Sequence, residues 1–155
     1  MRVAIIFLAI IIAACETKTS IGSIERIDPQ LDELIEPDAR IEILAEGMEW
    51  SEGPVWVEEK KMLLFSDVPT NIIYKWTEEG GREIYLQPSG NTGNQLGTAG
   101  KGSNGLLINK QGQLVICQHG DRRMAVMNSH IHEPKADFIS IANSYESKRF
   151  NSPND

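Results

Sequence analysis

The chain carries an internal repeat. Counting along it, Gly53 falls on Gly105, Val55 on Leu107, Leu63 on Val115, Phe65 on Cys117, Asp67 on His119 and Tyr74 on Val126, each pair 52 residues apart. Each copy holds four short runs rich in β-branched and aromatic residues, at 55–57, 62–65, 72–76 and 83–86, then at 106–108, 114–117, 124–127 and 138–141. Turn-forming stretches such as 67–71 and 79–81 separate the runs, so each set reads as an antiparallel meander of four strands. A four-strand unit recurring at ~40–50 residues is the pattern of a β-propeller blade. A β-sandwich is also made of short strands, but nothing in it holds one offset across six positions. The expected fold is all-β, a propeller occupying residues 40–155. Residues 87–103, dominated by Gly, Asn, Ser and Thr, join the two copies. A connection that long is a functional or a mobile loop, and here it sits at the channel mouth.

The repeat also phases the polar residues. Glu52 precedes Gly53, Asn104 precedes Gly105, and Asn154 follows 50 residues after Asn104, where a third unit should begin. The first strand of each blade lines the central channel, so pseudo-symmetry turns these three side chains toward one axis. One carboxylate and two amides offer hard oxygen ligands, suited to Ca²⁺ or Mg²⁺ rather than to soft metals. Taken singly, each is ordinary turn chemistry; their shared phase is what selects them. His119 is either an exposed turn residue or a general base at the channel mouth, since imidazole accepts a proton near neutral pH. His130 and His132 flank Ile131 in a polar loop and read as surface, and no His or Cys spacing matches a zinc site.

The N-terminus has a different texture. Met1-Arg2 is followed by an unbroken apolar run, 3–14, that ends in Ala13-Ala14-Cys15. That run falls short of the ~20 residues a spanning helix needs, but it suits the core of a secretory signal. The motif resembles a bacterial lipobox, in which the cysteine is lipidated and becomes the first residue. Residues 1–14 are then a signal peptide and 15–39 a tether and lead-in, with a short strand expected over 40–45. Cys117 remains as the only other thiol, so no intrachain disulfide is available. The expected location is the bacterial cell envelope, on the periplasmic or outer-membrane face, with the lipid as the only membrane contact. A net charge of -7 without a basic cluster argues against nucleic acid as a partner.

Several of these segments, in order, resemble the gluconolactonase/regucalcin family. Ser51-Glu52-Gly53-Pro54-Val55-Trp56, the run 64–69 and Ile73-Tyr74-Lys75-Trp76 look like its opening blade. Gly102-Ser103-Asn104-Gly105-Leu106, Cys117-Gln118-His119-Gly120 and Arg122-Arg123 look like the second blade of its bacterial members, and Asn151-Ser152-Pro153-Asn154-Asp155 like the start of the third. The resemblance implies a six-bladed propeller, of which this chain supplies about two blades and the start of a third. It implies one divalent cation, most simply Ca²⁺, and hydrolysis of a small-molecule sugar lactone. On that footing Glu52 and Asn154 match metal ligands, Asn104 and Asp155 match the substrate side, and His119 matches a proposed base. Gln118 departs from the family, many of whose bacterial members carry Glu there. Later family ligands would lie beyond Asp155, so the 155-residue chain alone is expected to be inactive. The competing expectation is a non-catalytic, envelope-anchored propeller module that binds carbohydrate or a protein partner. The signal reading has its own test. Mass spectrometry of the membrane fraction should find a mature chain beginning at diacylated Cys15; an unmodified Cys15 within an intact N-terminus would refute it.

Overall fold

A computed structural model describes residues 19–93 and 101–155. Cys15, the signal segment and part of the long loop lie outside the described residues. The chain divides into two units, 1–43 and 44–155.

In the first unit an isolated bridge joins Ser20 to Glu42, supported by Ile21 N to Ile41 O (3.0 Å) and Ile43 N to Thr19 O (2.9 Å). A 3₁₀ turn, Pro29–Glu33, is capped by the Asp28 side chain. The Arg26 guanidinium donates to Asp32 and to the carbonyls of Ile35 and Glu36. The strand expected over 40–45 is reduced to that single bridge, because only a short length of extended chain is available to pair with it.

The second unit holds two four-stranded antiparallel sheets. The first runs β1 (Ser51–Val57), β2 (Met62–Asp67), β3 (Ile72–Thr77), β4 (Gly81–Leu86). The second runs β5 (Ser103–Ile108), β6 (Leu114–Gln118), β7 (Arg123–Met127), β8 (Phe138–Ala142). A small hairpin, β9 (Ser144–Tyr145) and β10 (Lys148–Arg149), follows. All eight expected strands form, in the expected order, because period-2 alternation and turn residues agree along each of them.

The registers show how the two sheets are related. Val55 pairs with Leu64 in the first and Leu107 with Val115 in the second, while Phe65 pairs with Tyr74 and Ile116 with Ala125. Thus β1 and β5 superpose at an offset of 52 but β2/β6 and β3/β7 at 51. The cause is the first hairpin: Val57 pairs with Met62 across 58–61, whereas Asn109 takes Gln113 O across 110–112, one residue fewer. Asp67 therefore corresponds to Gln118, not to His119. Both are buried residues that end the second strand of their sheet.

This correction also distinguishes the architecture. Leu64 and Ile73 pack against Leu114, Ile116 and Met127 in one buried cluster between the sheets. The counterparts of Leu64 and Val55, namely Val115 and Leu107, point away from that cluster and line a cleft on the far face of the second sheet. Unlike faces meet, as rotation about an axis requires; a sandwich would bring like faces together. The fold is an all-β propeller, and the described residues supply two of its blades.

The inner strands set the spacing. A Cβ on Gly53 would strike the carbonyl oxygen of Asn104, and one on Gly105 would lie 2.8 Å from Asn154 O. Each glycine lets the start of the next unit press against its backbone. Gly53 also has a φ of +54°, which disfavours any side chain. Gly53→Ala should cost more than ~2 kcal/mol by urea unfolding. Gly112→Ala, also at positive φ but with nothing within 4 Å, should cost only ~1 kcal/mol. Equal losses would show that the close approach carries no weight.

Candidate functional site at the blade starts

Antiparallel order places the starts of β1 and β5, the turns 68–71 and 119–122, and the described parts of the connection, 87–93 and 101–102, at one end of the two blades. Asn104 lies there, 5% exposed. Its Nδ2 donates to Asn154 Oδ1 at 2.6 Å, and Gly105 N donates to Asn154 O at 2.7 Å. Asn154 Nδ2 in turn donates to Asp155 Oδ2 at 3.1 Å. That last contact orients both amides: Asn154 turns its nitrogen to the carboxylate and its oxygen to Asn104, so Asn104 must offer nitrogen. Asn104 Oδ1 is left buried and without a partner. Glu52 is half-buried, and its Oε1 accepts from Trp50 Nε1 at 3.0 Å. Glu52 and Asp155 both line the cleft of about 540 Å³ that also contains Gly53, Gly105, Cys117 and Met124.

The structure thus joins Asn104, Asn154 and Asp155 by hydrogen bonds; Glu52 and Asp155 also border the far face of the second sheet, where Leu107 and Val115 stand as Val55 and Leu64 stand toward the second blade. Among the described residues the Glu52 carboxylate is bonded to Trp50 and not to the amide pair. Cys117 is buried in that wall; burial, and then the Asp155 charge, push its thiol pKa up and disfavour the thiolate. His130 and His132 are exposed, with ring centroids 4.9 Å apart.

His119 stands on the 119–122 turn. Its Nδ1 is buried with no partner. Burial, then the nearby Lys101 and Arg122 charges, hold its pKa below the ordinary histidine value. A histidine acting as a base usually donates its other N–H to an acceptor that fixes the tautomer. Among the described residues His119 Nδ1 meets neither a donor nor an acceptor, so nothing there orients the ring as such a base requires.

Sequence reasoning missed the residues that hold this end together. Asn71, at φ +60°, accepts with Oδ1 from the backbone N–H groups of Ser89 (3.1 Å), Gly90 (2.9 Å) and Asn91 (3.0 Å). Its Nδ2 donates to Asn91 O at 2.8 Å. Asp121, 4% exposed, accepts from Thr92 N (3.0 Å), Thr92 Oγ1 (2.7 Å) and Arg123 (3.2 Å). A relay then runs inward. Ser103 N donates to Ser89 Oγ, Ser103 Oγ meets Ser66 Oγ at 2.7 Å, and Ser66 Oγ donates to Asn104 O at 2.8 Å. Gln118 spans the same layer, donating to Ser89 O and accepting from Arg123 Nε. The usable signal was an Asn in a tight turn, where left-handed backbone is tolerated.

Comparison with known proteins agrees with this fold. A family model described as the SMP-30/Gluconolactonase/LRE-like region matches residues 50–155. A gluconolactonase of Zymomonas mobilis is 37% identical over 141 residues, covering 88% of this chain and 38% of that protein. A structural-genomics protein assigned to the gluconolactonases superposes with a TM-score of 0.66 at 34% identity, over 83% of this chain and 39% of the other. A gluconolactonase of Xanthomonas campestris gives 0.65 at 26% identity, over 89% and 39%. The chain therefore spans less than half the length of these relatives.

The His119 environment makes stability depend on pH with a definite sign. Below about pH 6.5 the unfolded chain binds a proton that the folded ring refuses. Stability should fall as pH is lowered from that value toward the depressed folded pKa, and then level off for this group. Urea midpoints at about pH 7.5 and about pH 5.5 should differ less in His119→Gln than in the wild type. An unchanged difference would place the titration elsewhere.

Proposed function

The chain belongs to the SMP-30/gluconolactonase/LRE-like family, and from that premise we propose that it builds one side of a lactone-hydrolysing centre. The substrate in this reading is a small sugar lactone, the cofactor one divalent cation, most simply Ca²⁺, and the full-length protein adds further blades. The observation that carries it is the buried, partnerless Oδ1 of Asn104 beside the Asn154–Asp155 chain. A carbonyl oxygen can only accept, and leaving one buried and unmet costs ~1–3 kcal/mol; a cation or a substrate hydroxyl supplies the missing partner. The donors fit a hard ion: Glu52 and Asn154 would hold it, with Asn104 and Asp155 toward the substrate. Among the described residues no three Asp, Glu, His or Cys side chains converge, so amide oxygens would have to serve. A bound cation there would polarise the ring carbonyl and steady the oxyanion formed when water attacks.

The protein's own groups have separable roles. Glu52 contributes the only full negative charge among the two proposed cation holders. Its hydrogen bond from Trp50 Nε1 restrains the carboxylate at the cleft edge. The Asn104–Asn154 amide pair fixes where a substrate hydroxyl can sit, and its neutrality keeps the site from repelling the developing oxyanion. Burial and the nearby cations keep His119 neutral, so this reading lets it meet substrate at the mouth or take a proton as a base. An exported, Cys15-anchored form would place the centre at the cell envelope.

Replacing Glu52 by Gln in the full-length protein keeps the shape and removes that charge. Calcium affinity and lactone kcat/KM should both fall, by about tenfold or more, with activity partly restored by excess Ca²⁺. Unchanged calcium affinity in the variant, by titration calorimetry, would show the cation site to be misplaced.

A further inference from the structure

Asn104–Gly105 is the one Asn-Gly step in the chain. An asparagine is at its most labile there: the backbone nitrogen of the following residue attacks the side-chain carbon, and glycine has no Cβ to hinder it. The sheet does little to restrain this step. Pairing between β5 and β6 passes from Ser103 to Leu106, leaving Asn104 and Gly105 outside the ladder. One residue restrains both reacting groups instead. Gly105 N, the nucleophile, donates to Asn154 O at 2.7 Å, and Asn104 Nδ2, the leaving group, donates to Asn154 Oδ1 at 2.6 Å. The Asp155 carboxylate keeps the Asn154 amide this way round by accepting from its Nδ2. Asn154 O and Asp155 Oδ1 also occupy the space a Cβ on Gly105 would take, so the glycine is closed in on that side. Asn104 itself is 5% exposed, which keeps bulk water from the amide.

We propose that Asn104–Gly105 is a latent deamidation site, latched by Asn154 and released when the 154–155 segment lifts from the inner strand. In the released state the bond from Gly105 N to Asn104 Cγ forms and the Cγ–Nδ2 bond breaks. Ammonia leaves, carrying the proton from Gly105 N. Water then opens the cyclic imide at one of its two carbonyls, giving aspartate or isoaspartate. The latch does not re-form on either product. Where Asn104 Nδ2 donated to Asn154 Oδ1, a carboxylate oxygen now faces that acceptor with no hydrogen between them, beside the Asp155 charge. Isoaspartate also routes the main chain through an extra methylene, at the point where a Cβ on Gly53 would already strike Asn104 O. The change is therefore one-way, and it unseats the contact that spaces the blades. None of this depends on what the protein hydrolyses.

Full-length protein held at mildly alkaline pH, digested and read by peptide mass spectrometry, tests the proposal, with isoaspartyl methyltransferase labelling to separate the two products. Unfolded in urea, the chain should lose the Asn104 amide before those of Asn143 and Asn151. Folded, the order should reverse, because Asn143 and Asn151 are exposed and each precedes a small Ser. Asn154→Ala should speed conversion at Asn104 about fivefold, the loss of one amide hydrogen bond. Asn154→Asp, which keeps an acceptor for Asn104 Nδ2, should convert more slowly than Asn154→Ala. Conversion of Asn104 ahead of Asn143 and Asn151 in the folded protein, or equal rates in wild type and Asn154→Ala, would overturn the latch. Should Asn154→Ala fail to fold, the wild type in urea below its unfolding transition decides. A latch that opens locally gives a rate that barely rises there, whereas a rate climbing in step with global unfolding would overturn it.

Discussion

The spacing between inner strands rests on two missing side chains. At Gly53 and at Gly105 the backbone of the following unit occupies the volume where a Cβ would stand. That contact brings Asn104 against the first blade and Asn154 against the second. It also makes the relation between successive units a repeated rotation. The core between the blades follows from it: with the inner ends pinned, Leu64 and Ile73 meet Leu114, Ile116 and Met127 as buried neighbours. Burying a side chain of that size contributes roughly 1.5–3 kcal/mol, but this apolar term sets no position at the channel end. The glycine contacts do.

Above the apolar core lies a layer of buried polar groups, Ser66, Asp67, Ser89, Ser103 and Gln118 among them. Such groups are expensive unless each finds a partner. Here they find one another across the two blades and the connection: Asp67 takes the N–H of Trp50 at 3.0 Å, Ser89 serves both Asn71 and Ser103, and Gln118 reaches Ser89 O. Hydrogen bonds of this kind contribute about 1 kcal/mol each, yet they specify position far better than apolar contact does. The outcome is a stiff floor beneath Asn104, built from three stretches of chain far apart in sequence.

Strand order, turn positions and fold class were legible because they depend on local alternation and on residues within a few places of each other. The meeting of Asn104 and Asn154 was legible for a different reason: a repeated unit puts repeated positions around one axis, and their hydrogen bond is the local expression of that phase. The counting failed where one turn residue is absent. With 110–112 replacing 58–61, every position in the second and third strands slips by one, and in a strand that exchanges the two faces. His119 was for this reason set against Asp67, whose true counterpart is the buried Gln118. Beyond the turn position of Asn71, the roles of Asn71 and Asp121 were not legible, since most of their partners lie 18 to 29 residues away and are mostly main-chain N–H groups. A sequence does not display which backbone amides a side chain will meet.

Among the described residues two buried side-chain atoms lack a partner, Asn104 Oδ1 and His119 Nδ1, and both lie at the same end of the blades. They pose different chemical problems. The amide oxygen is an acceptor under all conditions, so whatever meets it must bring positive charge or a donated hydrogen. The imidazole nitrogen can be donor or acceptor, and burial with the Lys101 and Arg122 charges opposes only the doubly protonated ring. The turn therefore meets a ligand with a neutral ring, while the amide pair meets it with a bare oxygen that only a donated hydrogen or a cation can satisfy.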